Sequence, residues 1–342
     1  MEKADLKFSE LPFGYVPTDY NIRYTCKDGV WDKGELTRDV VLPMHISATC
    51  LHYGQEVFEG LKAYERPDGK VQLFRVEQNA RRMNRGAEKL LMEKVPEEMF
   101  IDAVIRVVNA NRRFIPPYGS GATLYIRPLL IGQGINLGVS PSKEYMLVVF
   151  VSPVGPYYKS GFTPVHLIVE ENVDRAAAFG VGDIKCAGNY AAGMRATTGA
   201  KKQGYNEVLY LDSREKKYLD ESGSSNFFGV IGDNRYVTPK SSSVLPSITN
   251  MSVMEIAADT GMTVEQRNVA VEELADFSEA GCCGTAAVIS PVGSVTHRDK
   301  KYVYCKDGQI GPVCTRLYKE LSGIQFGEIE DRFGWTRLVP ED

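Results

Sequence analysis

Histidine is scarce in this chain of 342 residues, with only His45, His52, His166 and His297, and none is spaced with another or with a carboxylate as metal ligands are. That excludes any strong case for a metal centre and leaves a histidine-based triad with weak support. Cysteine is present seven times, an odd number, and no pair has the C-x-x-C spacing of a zinc or redox site. Such usage fits a reducing cytoplasm. No segment approaches 18 uncharged apolar residues, and the start, Met1-Glu2-Lys3-Ala4-Asp5-Leu6-Lys7, lacks the apolar core of a secretion signal. A soluble, unsecreted protein is expected. An excess of one charge is also missing: 40 Lys and Arg against 44 Asp and Glu give a net charge of −4. Nucleic acid and anionic membranes therefore have no electrostatic basis as partners, which leaves small molecules and other subunits.

The length suits two domains or one large one. Residues 20–24, 40–42 and 53–63 read as extended pieces rich in β-branched and aromatic residues. Asp68-Gly69 fits a hairpin turn between Leu61-Lys62-Ala63-Tyr64 and Val71-Gln72-Leu73-Phe74. Helical spacing follows over 78–91 and 96–114, then strand-like alternation over 123–128 and 146–151. The segment 160–171 follows Ser152-Pro153-Val154-Gly155-Pro156 and lacks a helical period, so it reads as a connection. Beyond it come a helix over 190–204, a meander of short strands over 207–238, a short helix over 252–260 and a strand over 286–290.

Lys185 stands out chemically. It lies in Gly180-Val181-Gly182-Asp183-Ile184-Lys185-Cys186-Ala187-Gly188-Asn189-Tyr190, among neighbours small enough for a planar ligand to approach the backbone. An amine so placed, if desolvated, has the lowered pKa that a Schiff-base nucleophile needs. Four other features accompany it. Asp220-Glu221-Ser222-Gly223-Ser224-Ser225-Asn226 sets a carboxylate and hydroxyls at a turn; Leu245-Pro246-Ser247-Ile248-Thr249-Asn250 opens a helix with free amides; Gln78 to Arg85 is a basic helix; and Gly281-Cys282-Cys283-Gly284-Thr285-Ala286-Ala287 is a small-residue turn. Each alone also describes an ordinary loop, cap, solvated helix face or packed turn. Together they are the parts that pyridoxal phosphate needs: an amine, a carboxylate for the ring nitrogen, and phosphate-binding groups.

The chain resembles the branched-chain amino-acid aminotransferases, fold-type IV pyridoxal-phosphate enzymes, over almost its whole length. The motifs that carry the resemblance are Leu51-His52-Tyr53-Gly54-Gln55-Glu56-Val57-Phe58-Glu59-Gly60-Leu61-Lys62-Ala63-Tyr64, Leu124-Tyr125-Ile126-Arg127-Pro128, Ser152-Pro153-Val154-Gly155-Pro156-Tyr157, and Lys185-Cys186-Ala187-Gly188-Asn189-Tyr190. Glu221 with Asn226-Phe227, then Gly284-Thr285-Ala286, complete the order. The resemblance implies an α+β fold of two α/β domains with the active site at their interface: a smaller one over 1–158, a connection over 159–171, and a larger one over 172–342 carrying the cofactor lysine. It implies Lys185 as the Schiff-base lysine, Tyr190 on the cofactor's phenolate oxygen and Glu221 on its pyridine nitrogen. Arg82, Ile248, Thr249 and Thr285 would form the phosphate cup, with Ser224 and Ser225 also against the cofactor. Tyr53, Phe58, Tyr125 and Tyr157 would wall the side-chain pocket, Ala286 and Thr285 would lie near the substrate carboxylate, and Arg127 is a candidate for the γ-carboxylate of glutamate or for a structural ion pair. The loop Leu137-Gly138-Val139 would reach the neighbouring active site, implying a homodimer. Two departures stand out: Pro17 occupies a position where many relatives have a pocket phenylalanine, and Ser224-Ser225 replaces a Thr-Met or similar pair. A redox C-x-x-C of mammalian relatives is replaced by Ala287-Val288-Ile289-Ser290.

The implied reaction moves the amino group of L-leucine, L-isoleucine or L-valine to 2-oxoglutarate and back, with Lys185 as tether and acid/base. D-Amino-acid aminotransferase and aminodeoxychorismate lyase of the same fold are the nearer alternatives. A non-catalytic cofactor-binding or scaffold protein is the alternative of another class.

Overall fold

A computed structural model describes residues 2–158 and 161–341. The chain forms two compact units. One comprises Met1–Lys159, Ile184–Ala187 and Gly323–Asp342, the other Ser160–Asp183 and Gly188–Ser322. The sequence reading differs on two points, since it puts residues 184–187 and 323–342 with the second half. The expected connection over 159–171 begins on residues 159 and 160, outside the described residues, and its remainder is largely strand.

The first unit is built on one antiparallel sheet. Its elements are β1 (Asn21–Lys27), β2 (Val30–Trp31), β3 (Glu35–Thr37), α1 (Thr49–Tyr53), β4 (Glu56–Phe58), β5 (Leu61–Glu65), β6 (Val71–Phe74), α2 (Val76–Lys89), α3 (Glu97–Ala110), β7 (Thr123–Gly132) and β8 (Glu144–Val154). Hydrogen bonding runs from the C-terminal strand Thr336–Leu338 through β6, β5, β7, β8 and β1 to β2, with β3 on β1 and β4 on β7. In β1 the alternation is plain, because Ile22, Tyr24 and Cys26 are all buried. Residues 40–42, which read as extended, belong to no strand. Two of them, Val40 and Val41, are exposed, so no pleated face recruits them.

Helix α3 follows its apolar spacing: Phe100, Val104, Val107 and Val108 are fully buried, and the helix packs on β1 and β8. Burying each contributes about 1.5–3 kcal/mol. Glu97 and Glu98 in its first turn complement the helix dipole. In α2 the same period decides which arginine of the basic stretch turns inward. Arg82 is buried with Asn79, Met83 and Gly86, while Arg81 and Arg85 are exposed.

The second unit contains β9 (Val165–Glu170), most of α4 (Ala187–Lys202), β10 (Glu207–Leu211), β11 (Leu219–Ser222), β12 (Asn226–Ile231), β13 (Arg235–Pro239), α5 (Ile248–Asp259), β14 (Thr263–Arg267), β15 (Glu279–Gly284), β16 (Val288–His297), β17 (Lys300–Val303) and most of α6 (Pro312–Phe326). The pairing β11-β10-β9-β16-β15-β12 returns to β11, which closes a six-stranded barrel. β13 and β14 extend it from β12, and β17 pairs with β16. Because β9 and β10 are parallel, the chain between them must cross over, and α4 is the helix that does so. Its Ala196 and Ala200 pack against Val208 and Tyr210 of β10. Helices and largely antiparallel sheets in both units make the fold α+β. No helix among the described residues is long and apolar enough to cross a membrane.

Candidate active site

The lysine segment is tied to β4 by a single β-bridge. Phe58 N–H of β4 donates to the Lys185 carbonyl at 3.0 Å, and Val57 bridges to Cys186. Pairing with β4 is therefore what assigns these few residues to the first unit. The Lys185 ammonium lies 4.7 Å from the Phe58 ring centroid. Burial, reinforced by the like charge of Arg82, lowers its pKa from 10.5 to about 8. Tyr125 and Glu59 act the other way, and Arg127 adds a further lowering.

Arg127 shares that face. Its guanidinium lies 4.9 Å from the Phe58 centroid and 5.3 Å from that of Tyr125, and its Nη2 donates to the Tyr125 hydroxyl at 3.3 Å. Its Nε is buried without a hydrogen-bond partner among the described residues. Gly60 makes room for this cluster, since a Cβ there would stand 2.0 Å from the Tyr125 hydroxyl. Phe13 packs edge-on against both Tyr125 and Tyr157, with centroids 5.4 and 5.2 Å apart. So an aromatic ring four positions before Pro17 joins this wall. Lys62, directly opposite Tyr125 in the β5–β7 pairing, is a second buried lysine, and burial alone brings its pKa to about 8.

Arg82 is already engaged. Its Nε and Nη2 donate to the two carboxylate oxygens of Glu59, both at 2.7 Å, and Glu59 is fully buried. Asn79 Nδ2 adds a third donor at 2.7 Å. Glu59 carries no role in the sequence reading, although an acid inside the apolar run Val57-Phe58-Glu59-Gly60-Leu61 signals a paired charge. Of the other expected pocket residues in this unit, Tyr53 ends α1 exposed with its hydroxyl bonded to the Leu137 carbonyl, and Val139 is 86% exposed.

In the second unit Glu221 is the centre. It sits on β11 opposite Asn226 of β12, and the two side chains bond, Asn226 Nδ2 donating to Oε2 at 2.8 Å. Leu245 N–H donates to Oε1 at 3.0 Å, and Arg175 Nη2 stands 2.7 Å from the same oxygen. These donors all favour the ionised carboxylate. Two residues beyond Leu245, Ser247 caps α5 by accepting from Asn250 N–H at 3.2 Å. The amides of Ile248 and Thr249 lie in the first turn, ahead of any intrahelical acceptor. The turn after Glu221 carries Ser224, exposed, and Ser225, whose hydroxyl pairs with that of Ser222 at 2.8 Å. It adjoins the turn that bears Thr285 and Ala286: a Cβ on Gly284 would be 3.3 Å from that of Ser225. Tyr190 lies in the first turn of α4, next to Asn189, whose Nδ2 donates to the Val181 carbonyl at 2.7 Å.

The profile of the amino-transferase class IV family matches residues 56–295, the span that holds Lys185, Glu221, Arg82 and Arg127. The chain belongs to the class IV aminotransferases. This aminotransferase is 48% identical over 341 residues to a branched-chain-amino-acid aminotransferase of Haemophilus influenzae, an alignment covering 98% of this chain and 99% of that protein. Among solved structures, it superimposes on the branched-chain amino acid aminotransferase of Escherichia coli with a TM-score of 0.78 at 27% identity, covering 94% of this chain and 100% of the other. The T.th. branched-chain amino acid aminotransferase complexed with N-(5'-phosphopyridoxyl)-L-glutamate gives a TM-score of 0.77 at 27% identity, covering 94% of this chain and all 100% of that one.

Proposed function

We propose the following division of labour for a branched-chain amino-acid aminotransferase that moves the amino group of L-leucine, L-isoleucine or L-valine to 2-oxoglutarate, and in reverse. The assignment of this reaction rests on a relative 48% identical over nearly the full length, and pyridoxal 5'-phosphate is the cofactor. When bound, pyridoxal phosphate supplies an electron sink for the bond to the substrate α-hydrogen. The residues present fit it: a desolvated amine at Lys185, a carboxylate at Glu221 stabilised as an anion, and amides at the start of α5. Lys185, Tyr190, Glu221, Arg82, Ser224, Ser225, Ile248, Thr249 and Thr285 would hold it.

The observation that carries the mechanism is the Lys185 amine. At a pKa of about 8 a sizeable fraction is neutral near pH 7.5, so Nζ can take the proton from the substrate α-carbon and return it. An ordinary lysine at 10.5 would be nearly all protonated. Phe58 and Tyr125 offer apolar ring faces to a branched side chain, with Tyr157 joined to them through Phe13. The buried N–H of Arg127 Nε, together with the Tyr125 hydroxyl, suits the γ-carboxylate of glutamate, so the same residues serve both substrate types. Thr285 and Ala286 are assigned to the substrate α-carboxylate, and Tyr53 and Val139 to the side-chain pocket. We further assign a homodimer in which Leu137 to Val139 reaches the neighbouring active site, supported by the exposure of Leu137 and Val139, at 88% and 86%. A cytoplasmic location fits seven cysteines, none of them in a disulfide.

The test is a substrate panel on the cofactor-loaded protein. L-Leucine with 2-oxoglutarate should give glutamate, D-alanine should not, and Lys185→Ala should lose turnover by several orders of magnitude. Turnover of D-alanine with none of L-leucine would refute the reading.

A further inference from the structure

We propose that Arg175 is a positioning residue that biases the proton shared between Glu221 and the cofactor's ring nitrogen toward the nitrogen. The proposal rests on the reading of Glu221 as the partner of that nitrogen.

Three observations carry it. Arg175 Nη2 lies 2.7 Å from Glu221 Oε1, with side-chain exposures of 9% and 6%, so the pair is shielded from water. The same Nη2 also donates to the Gly182 carbonyl at 2.9 Å and to the Ser243 carbonyl. Gly182 is three residues before Lys185 in the chain, and it allows this approach only as glycine: a Cβ there would meet the Ser243 carbonyl oxygen at 2.4 Å. The same arginine thus fixes Glu221 and the backbone that leads to the amine. Finally, Asp220, the neighbouring buried carboxylate, is satisfied separately, by the hydroxyls of Ser241 at 2.8 Å and Ser243 at 2.6 Å. Arg175 makes its direct ion pair with Glu221, while its charge acts on Asp220 only through space.

The physical consequence concerns one proton and two bases. In a site stripped of water, an aromatic nitrogen and a carboxylate that share a proton tend toward the neutral pair, because separated charge is costly there. A fixed cation beside the carboxylate stabilises its anionic form and leaves the proton on the nitrogen. Asn226 and Leu245 N–H act in the same direction as neutral donors. Arg175 brings a full charge into direct contact with the Glu221 carboxylate.

The experiment loads the protein with pyridoxal phosphate isotopically labelled at the ring nitrogen and reads the nitrogen chemical shift, without turnover. The unmodified enzyme and Arg175→Lys should show the protonated ring, and Arg175→Met should shift toward the unprotonated value. An Arg175→Met protein that is folded and loaded but keeps the parent signal overturns the proposal. So does an Arg175→Lys protein that shifts as far as Arg175→Met. Removing half of a buried ion pair can cost the fold, so the companion is Arg175→Met with Glu221→Gln, which buries no charge at these positions. It should give the signal of Glu221→Gln alone, and a different signal counts against Arg175. If the unmodified enzyme itself shows an unprotonated ring, the assignment of Glu221 has failed, which is a separate result from an unmoved Arg175→Met.

Discussion

At the scale of single residues, burial of two lysines shapes both chemistry and stability. Lys185 and Lys62 each have a pKa near 8 in the fold against 10.5 for an ordinary lysine. Between those values the unfolded chain binds more protons than the folded one, so stability rises with pH across that window, by at most about 1.4 kcal/mol per pH unit for each lysine. Below about pH 8 both states are protonated and the full cost of burial remains. Urea unfolding of the cofactor-free protein at about pH 7.5 and about pH 9.5 should show this gain. Lys62→Met should be more stable at the lower pH and lose roughly half of the gain; an unchanged slope would show that Lys62 does not titrate in this window. Lys185 was legible in the sequence because its small neighbours are adjacent in the chain. Glu59, Arg175 and Phe13 were not, because each acquires its role from a partner far away: Arg82, Glu221 and the pair Tyr125 and Tyr157.

At the scale of elements, the start of α5 carries the clearest prediction. Ser247 caps the helix, leaving the amides of Ile248 and Thr249 for an anion. Ser247→Ala should cost about 1 kcal/mol in denaturant unfolding of the cofactor-free protein. It should also weaken retention of pyridoxal phosphate, measured by dialysis, and unchanged retention would remove this helix start from the phosphate cup. The sequence reading begins this helix at 252, yet it starts at Ile248, because Ser247 supplies the cap that ends the preceding extended chain. The segment 160–171 shows the opposite difficulty. Val165–Glu170 alternates between buried and accessible residues as β9 and is central in the barrel, but the prolines and glycines before it suggested a connection. The sequence reading has no counterpart to helix α6, though Val313, Leu317, Leu321 and Ile324 are buried at helical spacing behind Pro312.

At the scale of the whole molecule, the first unit exposes Ile46, Ile135, Leu137 and Val139 at 82, 74, 88 and 86%. Apolar exposure of this extent suits a covered surface. Leu137→Asp should shift the sedimentation coefficient from dimer toward monomer and reduce turnover together; a monomeric parent protein, or a variant that remains dimeric at full activity, would argue against the loop's reach. By itself the sequence determined the reaction class and proposed its chemical groups, because Lys185 to Tyr190, Glu221 to Asn226 and Gly284 to Ala286 are short motifs whose members are local in the chain. Tertiary structure decided which charges neutralise one another and with which unit the lysine packs. Arg82 with Glu59, Arg175 with Glu221, and Lys185 beside β4 are set by strand pairing and by helix faces that join distant segments. The Lys185 pKa belongs with these, since it depends on the water that packing removes, and no window of sequence contains that quantity.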